Sequence, residues 1–408
     1  MLNKITLQNF KLFKNKVEIP LSNLNLLTGI NGRGKSTVLQ SFLLMKQSPE
    51  FNRNTNKLIF NGDYIQLGNI KDVKNIDSSL NDNIEFGFHY LADSGDAFNV
   101  IYKFKANEDN SLDATINEIL IENLKGFKNY KIFEKGNKVV CVDEEGKEDE
   151  HSNYFNLFIK SEDKIISTIE STINLSKIHY VSADRIGPKL YYSKQSLKEF
   201  ASVGSIGENT INLLWHKQNE PVYDNLCEDE DLPKIVETQL NYWFGLIFDG
   251  AKTKLNEINE TELLSFRFNT GATPNYCLAT NVGYGFSYIL PIIVSGLIAK
   301  KGEILIIENP EAHLHPFAQS ILARFLTKVS ENGVQVIIES HSEHFLNGLR
   351  VSVFDKIIRN DQLNILYFDN NLEKPYVKID VDDDGGIEKW PSNFFDQATK
   401  DLNHLFGI

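Results

Sequence analysis

The stretch Gly29-Ile-Asn-Gly-Arg-Gly-Lys-Ser-Thr37 contains the pattern G-x-x-x-x-G-K-[ST] and decides how the whole chain is interpreted. An apolar segment at 24–28 precedes it and another at 38–45 follows it, which predicts a strand, a glycine-rich loop and a helix. The glycines permit a sharp turn in which successive backbone N–H groups point at phosphate oxygens, and the helix adds the positive end of its dipole. The sequence therefore predicts a phosphate-binding loop.

Each residue of this loop has a predicted role in binding a nucleotide. Lys35 is expected to reach the β- and γ-phosphates, and the hydroxyl of Ser36 is expected to ligate Mg²⁺. The cofactors predicted from the motif are therefore ATP and Mg²⁺. The other predicted nucleotide contacts in the loop are Asn31, Gly32, Arg33, Gly34 and Thr37.

A second motif, Glu303-Ile-Leu-Ile-Ile-Glu-Asn-Pro-Glu-Ala-His-Leu-His-Pro316, combines an apolar strand with acidic residues. The apolar residues 304–307 are followed by Glu308, and Pro310 prevents the strand from continuing. In NTPases that have a phosphate loop, an acid at the end of such a strand holds Mg²⁺. Glu308 is therefore a predicted metal ligand.

A third motif, Gln335-Val-Ile-Ile-Glu-Ser-His-Ser342, is an apolar strand that ends at Ser340 and His341. A helical pattern at 316–329 lies between the second and third motifs. The order strand, helix, strand predicts a parallel sheet with polar groups at the carboxyl ends of its strands, where ligands bind in such folds. His341 is then placed to sense the γ-phosphate.

A fourth motif, Asn281-Val-Gly-Tyr-Gly-Phe-Ser-Tyr288, immediately precedes a helical segment at 290–299. Glycines and a serine at the start of a helix can offer backbone N–H groups to an anion. This makes Gly283, Gly285 and Ser287 candidate nucleotide contacts. The alternative is an ordinary helix start, because such turns are common.

The middle of the chain shows a different pattern from the two ends. Alternating apolar and polar runs at 83–142 predict an antiparallel β-lobe, and the charged segment at 142–153 is expected to be a loop. Helical patterns dominate 161–248, interrupted by a short strand within 178–188. We therefore predict an α/β fold that combines a phosphate-loop core with an antiparallel β-lobe and a helical insertion.

Composition excludes several classes of protein. The formal net charge of −13 over 408 residues argues against nonspecific coating of nucleic acid, although a local basic groove is compatible with it. The cysteines Cys141, Cys227 and Cys277 lie too far apart to support a disulfide framework or a cysteine zinc site. The apolar run at 286–299 contains Pro291 and falls short of the roughly 20 residues that span a bilayer. We expect a cytoplasmic protein without a membrane partner.

In this order the motifs resemble those of the ABC-type ATPase head of the SMC, Rad50 and RecF proteins. The sequence at 308–316 and 339–344 resembles more closely that of prokaryotic stand-alone ATPases related to the overcoming-lysogenization-defect (OLD) proteins. The ending Trp390-Pro-Ser-Asn-Phe-Phe-Asp-Gln397 is similar to a C-terminal domain of unknown function carried by one such family. The resemblance covers both ends of the chain and only loosely its middle.

The resemblance assigns the motifs to known parts of such a head. Residues 29–37 look like Walker A, 281–288 like a divergent ABC signature, 304–311 like Walker B, and His341 like the switch histidine. Lys11, within Asn9-Phe-Lys-Leu-Phe13, falls in the early strand motif and is a candidate nucleotide contact. Gln66 is either the Q-loop glutamine that touches Mg²⁺ or its water, or a plain polar residue on a strand edge.

We accordingly divide the chain into four parts. Residues 1–75 form the first part of the ATPase head, and 76–270 form the β-lobe with the helical insertion. Residues 271–365 complete the head, and 366–408 form a C-terminal segment specific to the family.

One departure from the family pattern bears on hydrolysis. The resembling heads have Asp and then Glu after the Walker B strand, whereas Glu308 and Asn309 stand here. Asparagine can orient a water molecule but cannot accept its proton at neutral pH. Either Glu311 supplies the missing carboxylate or turnover is slow. The candidate catalytic residues are Glu308, Asn309, Glu311 and His341.

The resemblance implies an ATP-driven switch. In such ATPases two heads enclose two ATP molecules, so a chain with one set of motifs is expected to form a homodimer, or to pair with a related partner, on binding ATP. The predicted role is control of a separate effector, such as a nuclease, in anti-phage defence or genome maintenance. The alternative is a repair or chromosome protein that resembles Rad50 or RecF and acts directly on DNA, which keeps nucleic acid among the candidate partners.

Three further groups of residues have open interpretations. His313, His315, His341 and His344 could form a zinc site, but their motifs are already assigned to the ATPase. Arg185 either faces phosphate or nucleic acid, or forms a structural salt bridge. The run Asp380-Val-Asp-Asp-Asp384 is either an acidic metal cluster or, since two glycines follow it, a solvated turn.

Overall fold

The computed structural model describes residues 1–79, 81–91, 97–106, 111–123, 129–136, 138–151, 154–159, 175–371 and 374–407. The chain divides into two compact units, each built from separate segments. The first consists of Met1–Ser22, Ile30–Ile178 and Asp369–Pro375, and the second of Asn23–Gly29, His179–Phe368 and Tyr376–Ile408. The division at residues 75, 270 and 365 stays a prediction.

The strands are numbered in chain order. They are β1 (Leu2–Gln8), β2 (Val17–Pro20), β3 (Leu24–Gly29), β4 (Lys57–Ile59), β5 (Ile84–Leu91), β6 (Ala97–Lys105), β7 (Asp113–Asn123), β8 (Tyr130–Lys135), β9 (Lys138–Asp143), β10 (Glu148–His151), β11 (Tyr154–Phe155), β12 (Phe158–Ile159), β13 (Ile178–Val181), β14 (Tyr192–Ser193), β15 (Lys252–Ile258), β16 (Leu263–Asn269), β17 (Cys277–Leu278), β18 (Ile304–Glu308), β19 (Gln335–Glu339), β20 (Leu363–Phe368) and β21 (Tyr376–Ile379).

The helices are numbered in the same way. They are α1 (Lys35–Phe51), α2 (Ile70–Val73), α3 (Thr210–Lys217), α4 (Val236–Ile247), α5 (Tyr284–Ile298), α6 (Pro316–Glu331), α7 (Glu343–Phe354) and α8 (Gln397–Phe406). No helix within the described ranges is both long and apolar enough to cross a membrane.

An antiparallel sheet forms most of the first unit and confirms the predicted β-lobe. Its strands follow the order β10-β9-β8-β7-β6-β5-β1-β2, and β4 pairs with β7. Because side chains alternate along a strand, Phe86 and Phe88 of β5 are buried on one face, and Phe88 packs edge-on against Phe42 of α1 with 5.9 Å between ring centroids. The charged segment expected to be a loop is partly wrong, because Glu148–His151 pairs with β9 as a strand.

A mostly parallel sheet forms the centre of the second unit and confirms the predicted strand-helix-strand order. Its strands follow the order β13-β18-β19-β3-β20-β21. Strands β18, β19, β3 and β20 run parallel to one another, and β21 is antiparallel to β20. Leu305, Ile306 and Ile307 of β18 are fully buried, as expected for a strand covered on both faces.

The described part of the region predicted to be helical contributes α3 and α4 to the second unit. Trp243 of α4 is fully buried and lies 5.1 Å from Phe325 of α6 between ring centroids. The two helices therefore belong to the core of that unit, together with α5 and α6. The prediction that helices dominate this region is otherwise wrong for the described residues, because 182–209 and 218–235 contain only the short strand β14 and one 3-10 turn at Asp224–Leu226. Residues 161–174 lie outside the described residues.

Gly29, at the end of β3, has almost no room for a side chain. Its φ is +121°, and an added Cβ would lie 2.2 Å from the carbonyl oxygen of Phe368 on the neighbouring strand. We expect Gly29→Ala to lower the free energy of unfolding by roughly 3 kcal/mol, because it combines backbone strain with overpacking against backbone atoms. Chemical denaturation with a single reporter of the second unit measures the change.

The matched control is Gly302→Ala, because Gly302 also has a positive φ, of +85°, but nothing lies within 4 Å of an added Cβ. This variant carries the backbone strain without the clash and is expected to cost about 1 kcal/mol. Equal losses for the two variants would contradict the steric explanation for Gly29.

Candidate active site

The loop between β3 and α1 has the backbone shape that phosphate binding requires. Gly32 and Gly34 adopt positive φ values of +73° and +107°, which favour glycine. Helix α1 begins at Lys35, and no side chain caps its N-terminus. The start of a helix presents backbone N–H groups and the positive end of its dipole, an arrangement that suits an anion.

Lys35 folds back over this loop. The residue is 3% exposed, and its Nζ donates a hydrogen bond to the carbonyl oxygen of Ile30 at 2.9 Å. The Nε of the neighbouring Arg33 is buried and has no hydrogen-bond partner among the described residues. A buried donor without an acceptor is costly, so the loop fits an anionic ligand such as a triphosphate.

Lys11 and Gln66 both belong to the first unit. Lys11 donates through Nζ to Oε1 of Gln40 in α1 at 2.7 Å, and burial lowers the pKa of its ammonium group. The backbone of Gln66 forms an isolated antiparallel β-bridge with Asn61, and the side chain of Gln66 is exposed. Gln47 of α1 is the glutamine that anchors this turn, through a bond from the N–H of Ile65 at 3.2 Å. Roles for Lys11 and Gln66 at the nucleotide remain predictions.

Three strands of the second unit bring the remaining motifs to one edge of the sheet. Glu308 is level with Glu339 on the neighbouring strand, and Glu339 is level with Leu27 of β3. Because these strands are parallel, their carboxyl ends meet at the same edge. The phosphate-binding loop departs from that edge, at Gly29, which ends β3.

Glu308 is a partly buried carboxylate that accepts hydrogen bonds from two donors. Its Oε2 accepts the backbone N–H of Ala183 at 3.3 Å, and it also accepts the hydroxyl of Tyr180. Burial raises the pKa of Glu308, although both hydrogen bonds and the nearby Arg185 oppose that effect. A divalent cation would offset the same desolvation, so this oxygen donor fits the predicted Mg²⁺.

Glu311 joins the turn after β18 to the end of β19. Its Oε2 accepts the hydroxyl of Ser340 at 2.9 Å, and its Oε1 accepts the backbone N–H of His341 at 2.8 Å. Asn309 donates its backbone N–H to the backbone carbonyl oxygen of Glu339 at 2.8 Å and adopts a left-handed φ of +44°. The structure therefore brings Asn309, Glu311 and His341 together, and both oxygens of Glu311 accept hydrogen bonds from Ser340 and His341.

The fourth motif forms the start of α5. Gly283 precedes the helix, which no side chain caps, and the Oγ of Ser287 is buried without a hydrogen-bond partner in the described part of the chain. Gly285 packs against the turn after β18, since an added Cβ would lie 2.5 Å from the carbonyl oxygen of His313. Tyr284, by contrast, is 57% exposed.

Comparison with known families decides the identity of the chain. A model described as "AAA ATPase domain" matches residues 1–346, which is most of the sequence. The chain belongs to this ATPase family. A second model, described as "Protein of unknown function (DUF3696)", matches residues 358–405 of this AAA ATPase. The two matches confirm the predicted ATPase with a C-terminal domain of unknown function.

Solved structures similar to this AAA ATPase include SMC heads. An SMC head bound to the C-winged helix domain of ScpA is 13% identical, with a TM-score of 0.46 over 93% of this chain and 98% of that one. The SMC head domain from Thermotoga maritima is 11% identical, with a TM-score of 0.41 over 93% and 99%. A Pyrococcus furiosus Smc head with an extended coiled coil, bound to the C-terminal domain of ScpA, is 12% identical, with a TM-score of 0.46 over 99% of each chain. No curated protein matches the sequence.

Arg185 is a residue of this AAA ATPase whose role the sequence left open. Its guanidinium donates to the carbonyl oxygens of Ser182, Glu308 and Asn309. It is 4% exposed, and it forms no salt bridge with a carboxylate in the described ranges. Of the two interpretations left open, the structural salt bridge is therefore not borne out there, and contact with phosphate or nucleic acid stays a prediction. The sequence signal for a role of Arg185 was its position directly after a predicted strand.

The remaining open groups have local structural roles. His315 precedes α6, and its Nδ1 accepts the backbone N–H of Phe317 at 3.3 Å. Asp382 accepts the backbone N–H groups of Asp384 and Gly386 and so closes a tight turn. Across the ranges that the structure describes, no group of three or more His, Cys, Asp or Glu residues is arranged to hold a metal ion.

Proposed function

We propose that this AAA ATPase binds ATP with Mg²⁺, dimerises on binding and hydrolyses it slowly, as a switch for a partner effector. The observation that carries the proposal is the uncapped start of α1 behind a loop with two left-handed glycines and a folded-back lysine. Such a site binds phosphate through backbone N–H groups and the helix dipole. The family match supports the nucleotide as its ligand.

The chain's own residues divide the binding task. Lys35 would neutralise the β- and γ-phosphates, with Asn31, Gly32, Arg33, Gly34 and Thr37 supplying further contacts. Ser36 and Glu308 would hold Mg²⁺, with Gln66 as a further candidate. The cation, when bound, supplies positive charge that compensates the phosphate oxygens.

The catalytic residues favour slow turnover. Asn309 can orient a water molecule but cannot take its proton, and both oxygens of Glu311 already accept hydrogen bonds. The carboxylate of Glu311 would therefore position His341 beside the γ-phosphate instead of acting as a free base. We expect a turnover number below about 1 s⁻¹, at the low end of enzyme rates.

The start of α5 is the surface that we assign to the second copy in the dimer. Its helix dipole, the orphaned hydroxyl of Ser287 and the exposed ring of Tyr284 together suit an anionic ligand held by another chain. One set of motifs per chain makes a homodimer the simplest assembly that uses this surface. Control of an effector, such as a nuclease in anti-phage defence or genome maintenance, follows from the family resemblance alone.

Native mass by light scattering tests the ATP-dependent dimer. We expect a monomer without nucleotide and twice that mass with ATP and Mg²⁺. Gly283→Arg should bind ATP and stay monomeric, because nothing lies within 4 Å of an added Cβ inside the chain, whereas a second copy would meet the new side chain.

The matched control is Asp231→Arg, which places the same side chain at an exposed position in the acidic run 228–231. This variant is expected to dimerise normally. A wild-type mass that is the same with and without nucleotide would count against the proposed dimer surface. So would a Gly283→Arg protein that still dimerises.

A further inference from the structure

A short segment at 180–185, which we call the support turn, surrounds the end of β18. The hydroxyl of Tyr180 and the backbone N–H of Ala183 both donate to the carboxylate of Glu308. Arg185 holds the backbone of the same strand end, since its Nη2 donates to the carbonyl oxygens of Glu308 and Asn309, the latter at 2.7 Å. The support turn therefore fixes both the side chain and the peptide groups of the predicted metal ligand.

Arg185 is an unusual residue to bury in this way. Its guanidinium is 4% exposed, its Nε donates to the carbonyl oxygen of Ser182 at 3.0 Å, and its Nη1 has no hydrogen-bond partner among the residues that the structure describes. Burial lowers the pKa of Arg185 to about 10, and the charges of Glu311 and Glu308 oppose that effect, so the group stays charged at neutral pH. A buried charge bound to carbonyl oxygens is a poor source of stability, which points to a functional reason for keeping it.

The same guanidinium also contacts α5. Its Cζ lies 5.8 Å from the ring centroid of Tyr288, one turn into the helix. The ring of Tyr288 in turn lies edge-on to the ring of His313, at 4.8 Å between centroids. Arg185 thus links three elements of the second unit, which are the support turn, the end of β18 and the first turns of α5.

We propose that Arg185 is a positioning residue that transmits engagement of the α5 N-terminus to Glu308 and Asn309. This inference rests on the proposed function, in which that N-terminus binds the nucleotide of a second copy. The peptide group between Glu308 and Asn309 leads into a left-handed residue, and the fork of Arg185 fixes its orientation. Lysine carries a single nitrogen, so it cannot reproduce the planar contact in which Nε binds Ser182 while Nη2 binds the carbonyl oxygens of Glu308 and Asn309.

The test compares Arg185→Lys with Arg267→Lys, a matched change at an exposed arginine on β16. For Arg185→Lys we expect the turnover number to fall at least tenfold, while the dissociation constant for ATP stays within twofold and the ATP-dependent dimer still forms. Arg267→Lys should behave like the wild-type protein. A purely structural role would lower ATP affinity, dimerisation and melting temperature together, and that result would overturn the proposal.

A second variant, Tyr288→Leu, tests the link to α5. Its result can be interpreted even if Arg185→Lys folds poorly. It leaves the hydrogen bonds of Arg185 in place and should lower turnover several-fold at unchanged ATP affinity. The double variant should be no slower than Arg185→Lys alone, since both act through one connection. Unchanged turnover in Tyr288→Leu, or additive losses in the double variant, would overturn the link. A wild-type protein that neither binds nor hydrolyses ATP would instead refute the proposed function, and this inference with it.

Discussion

Lys35→Ala is expected to weaken ATP binding about 100-fold and to abolish measurable turnover. Lys35 is 3% exposed, and its Nζ is held at 2.9 Å from the carbonyl oxygen of Ile30, in the predicted phosphate-binding loop. Removing one partner of a buried charge pair costs about 2–5 kcal/mol, which agrees with a loss of this size. Titration with a fluorescent ATP analogue and a phosphate-release assay measure the two effects.

The control for this variant is Lys14→Ala, which removes an exposed lysine from the same unit and should leave both properties unchanged. We also expect the melting temperature of Lys35→Ala without nucleotide to stay close to that of the wild-type protein, because the lost hydrogen bond lies within the loop itself. ATP affinity like that of the wild type would refute the phosphate-loop assignment.

Glu308→Gln is expected to lower turnover at least 100-fold without destabilising the protein. The amide keeps the shape of the carboxylate but offers no anionic oxygen to the predicted Mg²⁺. Because burial raises the pKa of Glu308, the charged form is costly in the folded protein. Replacing it with a neutral group should therefore leave the melting temperature unchanged or raise it slightly in the absence of metal.

Glu343→Gln is the matched control, since Glu343 is exposed in the first turn of α7. The decisive measurement is the pair of values, turnover with Mg²⁺ and melting temperature without it. A Glu308→Gln protein that loses stability along with activity would show that the carboxylate is needed for folding, and near-normal turnover would remove Glu308 from the metal site.

The phosphate loop, the parallel strands and the β-lobe could be predicted because each has a local signal. A glycine pattern between a strand and a helix fixes the loop, and alternation of apolar residues fixes the lobe. The same local logic failed for Glu148–His151. Charged residues there pair with lysines across the sheet, for example Lys135 with Glu148 at 2.9 Å, so a strand forms without an apolar face.

The role of Glu311 could not be predicted, because it depends on contacts between separate strands. Its carboxylate is held by Ser340 and His341, and no local pattern indicates that pairing. The structure also gives Asn309 a backbone explanation. With a φ of +44°, this position favours asparagine, which tolerates the left-handed region better than glutamate does.

Arg185 shows the same limit more sharply. It bonds to residues more than a hundred positions later in the chain, at separations of 123 and 124. The sequence could place it after a strand but could not tell that its partners are carbonyl oxygens. The sequence around a single arginine does not show whether its side chain faces phosphate, a carboxylate or the backbone.

The position of β3 has a consequence for how the protein is made. Its buried Asn25 bonds to Val336 and is bonded by Asn364, which lies 339 residues further along the chain. At a synthesis rate of about 5–20 residues per second, the ribosome needs roughly 20 to 70 s to deliver that last partner. Throughout this interval the apolar segment β3 lacks at least one of its two neighbouring strands, since β19 is made late and β20 later still. We therefore expect nascent chains of this protein to depend on chaperones for longer than their length alone implies, and the dependence to end only when residues 363–368 emerge.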